Sequence, residues 1–472
     1  MGKQIQKVKD AAIRQAIRLI LRRLSRASVR DTLRLANLFE KISSPKHKYV
    51  FYRIKKALGE RDPQALTILR LLNNCHKNYI DKMAMSLLAN GFLIGKRKRD
   101  AFAKKGIKSP TTVLISPTMR CNLRCKGCYA ANYKKQDDLP FEVIDRVITE
   151  AKQMGVIFFS MLGGEPFIRK DMFKIYRKHS DAFFQAYTNS TLIDEKVAKT
   201  LLSLGNVVPM LSLEGFEKET NSRRGVNIYQ SVMRTADLLK KYKIPFGYSV
   251  VVTRKNYKTV MGDKFVDMMI KKGAFIGWYF LYMPVSGKPD LKMMPAPKQR
   301  MHLLERGKYI RKHKSIFIID FWNDAPFVGG CIAGKEYVHI TSSGDVEPCI
   351  FTHFAVDNVK TKSFKKIMQS DFFKELRKRQ PHNDNLYLPC MLIDNPQVMR
   401  ELHSQFKLKP THPGAESLVN SLKPDINKYS KEVQRIYKKP WQENKHKYQR
   451  IIDRVNRDKA MLSKHQESRG CI

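Results

Sequence analysis

The chain has 472 residues, room for two to four units at about 100–200 residues per domain. With 43% hydrophobic residues it can bury a sizeable core, which excludes wholesale disorder. Lys and Arg number 89 against 43 Asp and Glu, a formal charge of +46. No uninterrupted apolar stretch approaches the roughly 18 residues of a membrane span. The first residues show no short apolar core followed by a small-residue cleavage site, so the expected compartment is the reducing cytoplasm. Eight cysteines are too sparse for a disulfide scaffold and need another explanation.

Residues 1–108 read as a basic helical region. The first 110 residues hold 27 Lys and Arg against 7 Asp and Glu. On a 3.6-residue wheel Lys7, Arg14, Arg18 and Arg22 share one side, and Ile5, Val8, Ala12, Ala16, Leu19, Ile20 and Leu24 the other. Such a helix suits internal packing with a solvated basic face, peripheral contact with an anionic membrane, or, as the weakest of the three, nucleic acid. Tyr49, Phe51 and Tyr52 beside Lys48 and Arg53 are the only hint of aromatic–basic stacking. A second helical run spans 66–88, with Asn90-Gly91 as its stop signal and a basic cluster at 96–99 after it. Cys75 lies in that run, where a small buried hydrophobe is the plain expectation.

From 111 the pattern alternates. Strand-like runs at 112–116, 156–162, 182–188, 207–213, 246–252 and 275–283 are separated by helical segments at 141–154, 170–179, 195–204, 228–242 and 258–272. This predicts a parallel α/β sheet over 109–290, with six strands where a full TIM barrel has eight. Four prolines and one glycine mark 284–297 as a linker. Runs at 317–321 and 337–341, then a Gly344-Asp345 turn signal, predict a small hairpin-bearing domain over 291–400. Residues 401–472 read as a basic helical tail. No repeat of 20–50 residues is present.

Cys121, Cys125 and Cys128 follow the first strand with C-x3-C-x2-C spacing. A structural zinc needs four protein ligands, and no fourth Cys or His lies nearby. A redox C-x-x-C leaves Cys121 idle. Three thiolates in one loop can instead hold three irons of a cubane and leave the fourth open to a cofactor. Gly163-Gly164-Glu165-Pro166 stands after the second strand. Tyr187-Thr188-Asn189-Ser190-Thr191-Leu192 follows the third, Ser212-Leu213-Glu214-Gly215 the fourth, and Arg223-Arg224-Gly225 lies beyond.

In this order the motifs resemble those of the radical S-adenosylmethionine (SAM) enzymes. Ser190 replaces a usual glycine and Glu214 a usual aspartate. The resemblance implies a partial (β/α)6 TIM-like barrel and a 4Fe–4S cluster on Cys121, Cys125 and Cys128 that binds SAM. It places Tyr129 near the adenine, and Gly163, Gly164, Glu165 and Pro166 at the amino group. Thr188 belongs to the stretch whose Asn189, with Ser212, would face the ribose and carboxylate side. Arg224 would pair with the carboxylate. The chemistry is consistent: glycines let a backbone approach a ligand closely, and a carboxylate partners an ammonium.

Cys331, Gly344 and Cys349 resemble the opening of the SPASM motif, which holds auxiliary clusters in that superfamily. Only Cys390 follows, so the resemblance implies one auxiliary 4Fe–4S cluster, in a shortened SPASM- or twitch-like domain. Its fourth iron would be open or held by Asp345, His353 or Asp394; a zinc or free thiols are the alternatives. Gly329-x4-Gly334-Lys335 imitates a P-loop, but Glu336 stands where Ser or Thr is needed, and no long helix pattern follows. Asp320, Trp322 and Asp324 are either substrate contacts or a strand end with a helix cap.

The expected activity is reductive cleavage of SAM to methionine and a 5′-deoxyadenosyl radical that removes hydrogen from an unactivated carbon. A reductant such as ferredoxin or flavodoxin would serve it. No acid–base pair or nucleophile triad stands out, and none is required. The basic N-terminus points to a lipid or membrane-associated substrate on the cytoplasmic face. A peptide- or protein-modifying maturase is the alternative, although 1–108 does not read as a winged-helix peptide-recognition unit. A non-enzymatic iron–sulfur electron-transfer protein would lack the G-G-E-P element.

Overall fold

The computed structural model describes residues 28–42, 55–286 and 288–457, with positions 15, 19, 22, 23, 52 and 53. Most of the residues that define the expected N-terminal amphipathic faces, most of the aromatic–basic cluster near 49, and Cys471 lie outside the described residues. Helices α1 (Val29–Ile42), α2 (Pro63–Asn74) and α3 (Lys77–Met83), a π-helix (Ala84–Gly95) and α4 (Lys96–Ala103) precede the sheet. The single helix expected over 66–88 is broken at Cys75, whose extended backbone ends α2. Asn90-Gly91 does not stop the chain. The Asn90 side chain donates to Asp181 O on the barrel, and the π-turns run on into α4.

This N-terminal layer packs on the barrel. Arg70 of α2 donates to the carbonyls of Ile270, Ala274 and Ser315. Tyr79 of α3, fully buried, donates to Leu201 O and Val207 O. Helices α2 and α3 of the basic region therefore pack on the barrel, whereas α4, with the basic cluster at 96–99, buries no residue. Among the described residues no helix is long and apolar enough to cross a membrane.

The barrel alternates as its sequence does: β1 (Thr112–Ile115), α5 (Phe141–Gln153), β2 (Phe158–Met161), α6 (Met172–Lys178), β3 (Phe183–Thr188), α7 (Glu195–Leu204), β4 (Val207–Leu213), α8 (Glu217–Arg224), α9 (Ile228–Lys241), β5 (Gly247–Val252), α10 (Asp263–Lys272) and β6 (Ile276–Leu281). Helix α5 buries Ile144, Val147, Ile148 and Ala151, the i, i+3, i+4, i+7 stripe of a helix lying on a sheet. Helix α7 starts where the Asp194 side chain accepts from Val197 N, and it stops at Gly205 in the left-handed region.

The six expected strands are all present and parallel, in sequence order. Two more join them. After α11 (Pro297–His313), β7 (Phe317–Asp320) pairs with β6, and β8 (Tyr337–Ile340) pairs with β1; both pairings are parallel. The described sheet then reads β7-β6-β5-β4-β3-β2-β1-β8-β9, with β9 (Val346–Glu347) antiparallel to β8. The predicted hairpin is thus present, and its first strand completes one edge of the barrel sheet. The two edges approach where Phe321, just past β7, sets its ring edge-on to Tyr337, with centroids 6.0 Å apart. Period-2 alternation turns Leu114, Ser160 and Gln185 inward at one level, and Ser212, Ser249 and Trp278 at the next; their registers align across neighbouring strands.

Two C-terminal helices, α12 (Pro396–Phe406) and α13 (Lys423–Asn444), close the fold. Their anchor is a fully buried ion pair, Arg300 of α11 with Asp394, at 2.6 Å. Asp394 also accepts from Cys390 N, and its carbonyl accepts from Ser430 of α13. The Asp394 carboxylate therefore joins α11 to the Cys390 loop, and its backbone carbonyl ties that loop to α13. Removing one partner of such a pair strands the other charge in the interior. Asp394→Ala is expected to cost about 3–5 kcal/mol in chemical denaturation. Asp267→Ala, which breaks an exposed pair with Lys314, is expected to cost less than about 1 kcal/mol. Equal losses would refute the anchoring role.

Candidate active site

The cysteine loop leaves the end of β1 and is clamped against the loop after β2. Gly164 N donates to Thr118 O (3.0 Å) and Glu165 N to Arg120 O (2.9 Å). Gly163 has φ +100°. A Cβ on Gly163 would lie 2.2 Å from Thr118 O, and one on Gly164 2.0 Å from Arg120 O. Both glycines are needed for two backbones to touch, a role separate from the approach of a ligand. On the other flank Lys126 N donates to Arg223 O at 2.9 Å.

Cys121, Cys125 and Cys128 line one cavity of about 260 Å³ with Tyr129, Gly163, Gly164, Thr188, Asn189, Ser212 and Arg224. Of the residues expected on the SAM side, only Glu165 and Pro166 sit behind its wall. Glu165 is 1% exposed. Its Oε1 accepts from Phe167 N and Thr188 Oγ1, and its Oε2 from Asn189 N at 2.7 Å. The carboxylate braces the β2 loop to the end of β3. Burial, opposed by those donors, pushes its carboxyl up to about 7. An exposed glutamate ionises near 4.3, so the unfolded chain loses this proton first. The stability contributed by the neutral form is full below about pH 4.3 and is lost as pH rises through about 7.

Asn189 reaches back to the cysteine loop, with Nδ2 donating to Asn122 Oδ1 at 2.8 Å and lying 3.8 Å from Cys121 Sγ. Glu214 puts one oxygen, Oε1, between Arg223 (2.6 Å) and Arg224 (2.7 Å). Arg224 is thus not free, as the sequence left it. Two guanidiniums on one carboxylate nevertheless leave a net positive charge facing the cavity. The Tyr129 hydroxyl hydrogen-bonds with the backbone of Gly163, and its ring stands edge-on to Phe351. Ser212 faces Ser249 across β4 and β5.

The second trio, Cys331, Cys349 and Cys390, lines a separate cavity of about 420 Å³. Trp278, Phe321, Ile332, Tyr337 and Phe351 line both cavities and so form their partition. The three suggested fourth ligands do not line this cavity. Asp394 is held by Arg300, Asp345 accepts from Ser343 and Asn358 in the hairpin turn, and His353 is held by His412 and Ile350 O. Asp320 caps Trp322 N and Asn323 N, and Asp324 pairs with Arg311, so this run is a strand end with caps. Trp322 and Asp324 still line the second cavity. Strand β8 follows Gly334-Lys335, where a P-loop requires a helix.

Burial pushes the Cys121 thiol up to about 11 and the Cys331 thiol up to about 12. Such thiols stay protonated until a metal displaces the proton. Among the described residues no three His, Cys, Asp or Glu side chains converge to hold a single metal ion. Three cysteines line each cavity, a sulfur donor set that fits an iron–sulfur cluster with one open iron.

Comparison with known proteins gives the same reading. The radical SAM superfamily profile matches residues 115–262, and that of SPASM, an iron–sulfur cluster-binding domain, matches residues 331–391. The AdoMet-dependent heme synthase of Methanosarcina barkeri is 23% identical over 57% of this chain and 85% of its own length. The PqqA peptide cyclase of Methylorubrum extorquens is 25% identical over 52% of this chain and 66% of its own. The crystal structure of Streptococcus suis SuiB bound to S-adenosylmethionine shares the fold at a TM-score of 0.51 and 22% identity, covering 66% of this chain and 81% of that one. The chain belongs to the radical SAM superfamily and carries a SPASM domain. It is an enzyme that uses SAM and 4Fe–4S clusters, and the non-enzymatic alternative falls away.

Ser190 has φ +72°, the region that favours the glycine it replaces, and its buried Oγ has no hydrogen-bond partner. Relief of about 1–2 kcal/mol of left-handed strain, less about 0.5–1 kcal/mol of glycine entropy, predicts that Ser190→Gly raises stability by about 0.5–1 kcal/mol. Thermal melts against Ser190→Ala, which keeps the strain, check this; a Gly variant no more stable than the Ala variant would contradict it.

Proposed function

We propose that this enzyme modifies a peptide or protein substrate, with Cys121, Cys125 and Cys128 holding the SAM-binding cluster and Cys331, Cys349 and Cys390 one auxiliary cluster whose fourth iron lacks a protein ligand. The observation that carries the reading is the pair of cysteine-lined cavities sharing one aromatic partition. The peptide-cyclase relative supports a peptide over the lipid expected from the basic N-terminus, and most of that helix lies outside the described residues.

When bound and reduced, the cluster and SAM supply a 5′-deoxyadenosyl radical able to take hydrogen from an unactivated carbon. The chain's own residues do the rest. The net positive charge of Arg223, Arg224 and Glu214 attracts the SAM carboxylate. The ionised Glu165, behind the wall formed by Thr188 and Asn189, attracts the SAM ammonium by its charge. Asn189 fixes the Cys121 side of the loop. Trp278, Phe321 and Phe351 exclude water beside the reacting carbon.

Anaerobically reconstituted protein with dithionite and SAM should release 5′-deoxyadenosine. Cys125→Ala should release none while retaining iron–sulfur absorbance from the auxiliary site. Loss of all absorbance, or product from the variant, would refute the division of roles. Comparative mass spectrometry of cells with and without the gene should reveal a peptide of altered mass; an altered lipid and no altered peptide would overturn the substrate class.

The ionised form of Glu165 is the one that partners an ammonium, and burial places its titration near 7. SAM affinity of the reconstituted protein, read by calorimetry, should rise between about pH 6 and 8. In Glu165→Gln that slope should vanish. A slope unchanged by the substitution would remove Glu165 from the site.

A further inference from the structure

The hairpin that completes the sheet has a chemical consequence. In its ladder His339 opposes Glu347 and Ile340 opposes Val346. Extending the same register by one pair on the same face sets Tyr337 opposite Cys349. The Tyr337 hydroxyl lies 2.9 Å from Cys349 Sγ and donates to it. Tyr337 is 4% exposed, and its ring forms part of the partition between the two cavities.

Among the described residues this hydroxyl makes no other hydrogen bond. A buried phenol needs an acceptor, and a neutral thiol is a weak one. A metal-bound thiolate is a strong one, because the bond becomes charge-assisted. The placement of Tyr337 therefore makes physical sense with Cys349 ionised on a cluster. Cys349 also receives the Phe351 N–H at 3.5 Å, and Cys390 receives the Leu392 N–H at 3.4 Å. Backbone donors of this kind are common to the cysteine loops. Among the described residues the tyrosine hydroxyl donor belongs to Cys349.

We propose that Tyr337 is a positioning residue that sets the reduction potential of the auxiliary cluster through its O–H bond to the Cys349 sulfur. A donor aimed at a ligand sulfur stabilises the more negative, reduced cluster and raises its potential. Tyr337 is buried, so the bond is electrostatically stronger than it would be in water. The inference rests on the reading that Cys331, Cys349 and Cys390 hold that cluster.

The test is a redox titration of the reconstituted enzyme followed by electron paramagnetic resonance. A Cys125→Ala background shows the auxiliary signal alone. Tyr337→Phe keeps the ring and removes the donor. It should move the auxiliary midpoint to a more negative potential and, in the otherwise intact enzyme, leave the SAM-responsive cluster where it was. Phe327→Leu, which alters the lining of the second cavity at a ring that packs on Tyr448 and carries no donor, should leave the auxiliary midpoint unmoved. An unchanged midpoint in Tyr337→Phe, or an equal shift in Phe327→Leu, would overturn the role of the hydroxyl. A separate variant guards the underlying reading. If Cys349→Ala, which removes the ligand atom, retains the full auxiliary signal, the cluster assignment fails, and this inference fails with it.

Discussion

The site depends on one backbone contact, the clamp of the cysteine loop by Gly164 N on Thr118 O and Glu165 N on Arg120 O. A loop proposed to offer three thiolates to one cluster must present them in a fixed arrangement before the cluster is bound. Its backbone must be fixed from outside. The strand-end loop after β2 does this, and it can come close enough only because Gly163 and Gly164 have no Cβ. Glu165 then carries the constraint to the end of β3 through Thr188 and Asn189. Asn189 returns it to Asn122 beside Cys121. Three consecutive strand ends thereby become one rigid frame, at the C-terminal face where parallel barrels place their chemistry.

A second constraint joins the two halves of the chain. The segment after β6 sends β7 to one edge of the sheet and the β8–β9 hairpin to the other. The residues that close this gap, Phe321 and Tyr337, become the partition between the cavities. The auxiliary trio is therefore seated on the barrel's own edge. Cys349 follows β9, Cys331 precedes β8, and Cys390 sits on the loop that Asp394 and Arg300 lock to α11 and α13. The C-terminal helices serve the site indirectly, by fixing that last loop.

Local signals made the first site legible. The C-x3-C-x2-C spacing, the G-G-E-P element and the alternation of β1 to β6 are encoded within a few residues of where they act. The sequence could not show that Glu165 is turned inward to brace β3, or that Glu214 claims Arg224, since both depend on packing between separate strand ends. The β7 and β8 runs were visible as strands, but their partners at opposite edges are not a property of periodicity. The helix expected over 66–88 fails at Cys75 because tertiary contacts of Tyr79 and Arg70 override a continuous pattern. Asp345, His353 and Asp394 looked free in sequence, and each is spent on a long-range partner. The Tyr337–Cys349 contact was within reach, since the Gly344-Asp345 turn fixes the hairpin register that sets them opposite one another.

The central claim is that two cysteine trios hold two cubanes. Iron and acid-labile sulfide counts on anaerobically reconstituted protein test it most directly. The account predicts about eight of each per chain, falling to about four when Cys121, Cys125 and Cys128 are replaced together, and to about four when Cys331, Cys349 and Cys390 are. A count of about four in the wild type, unaffected by loss of the second trio, would contradict it.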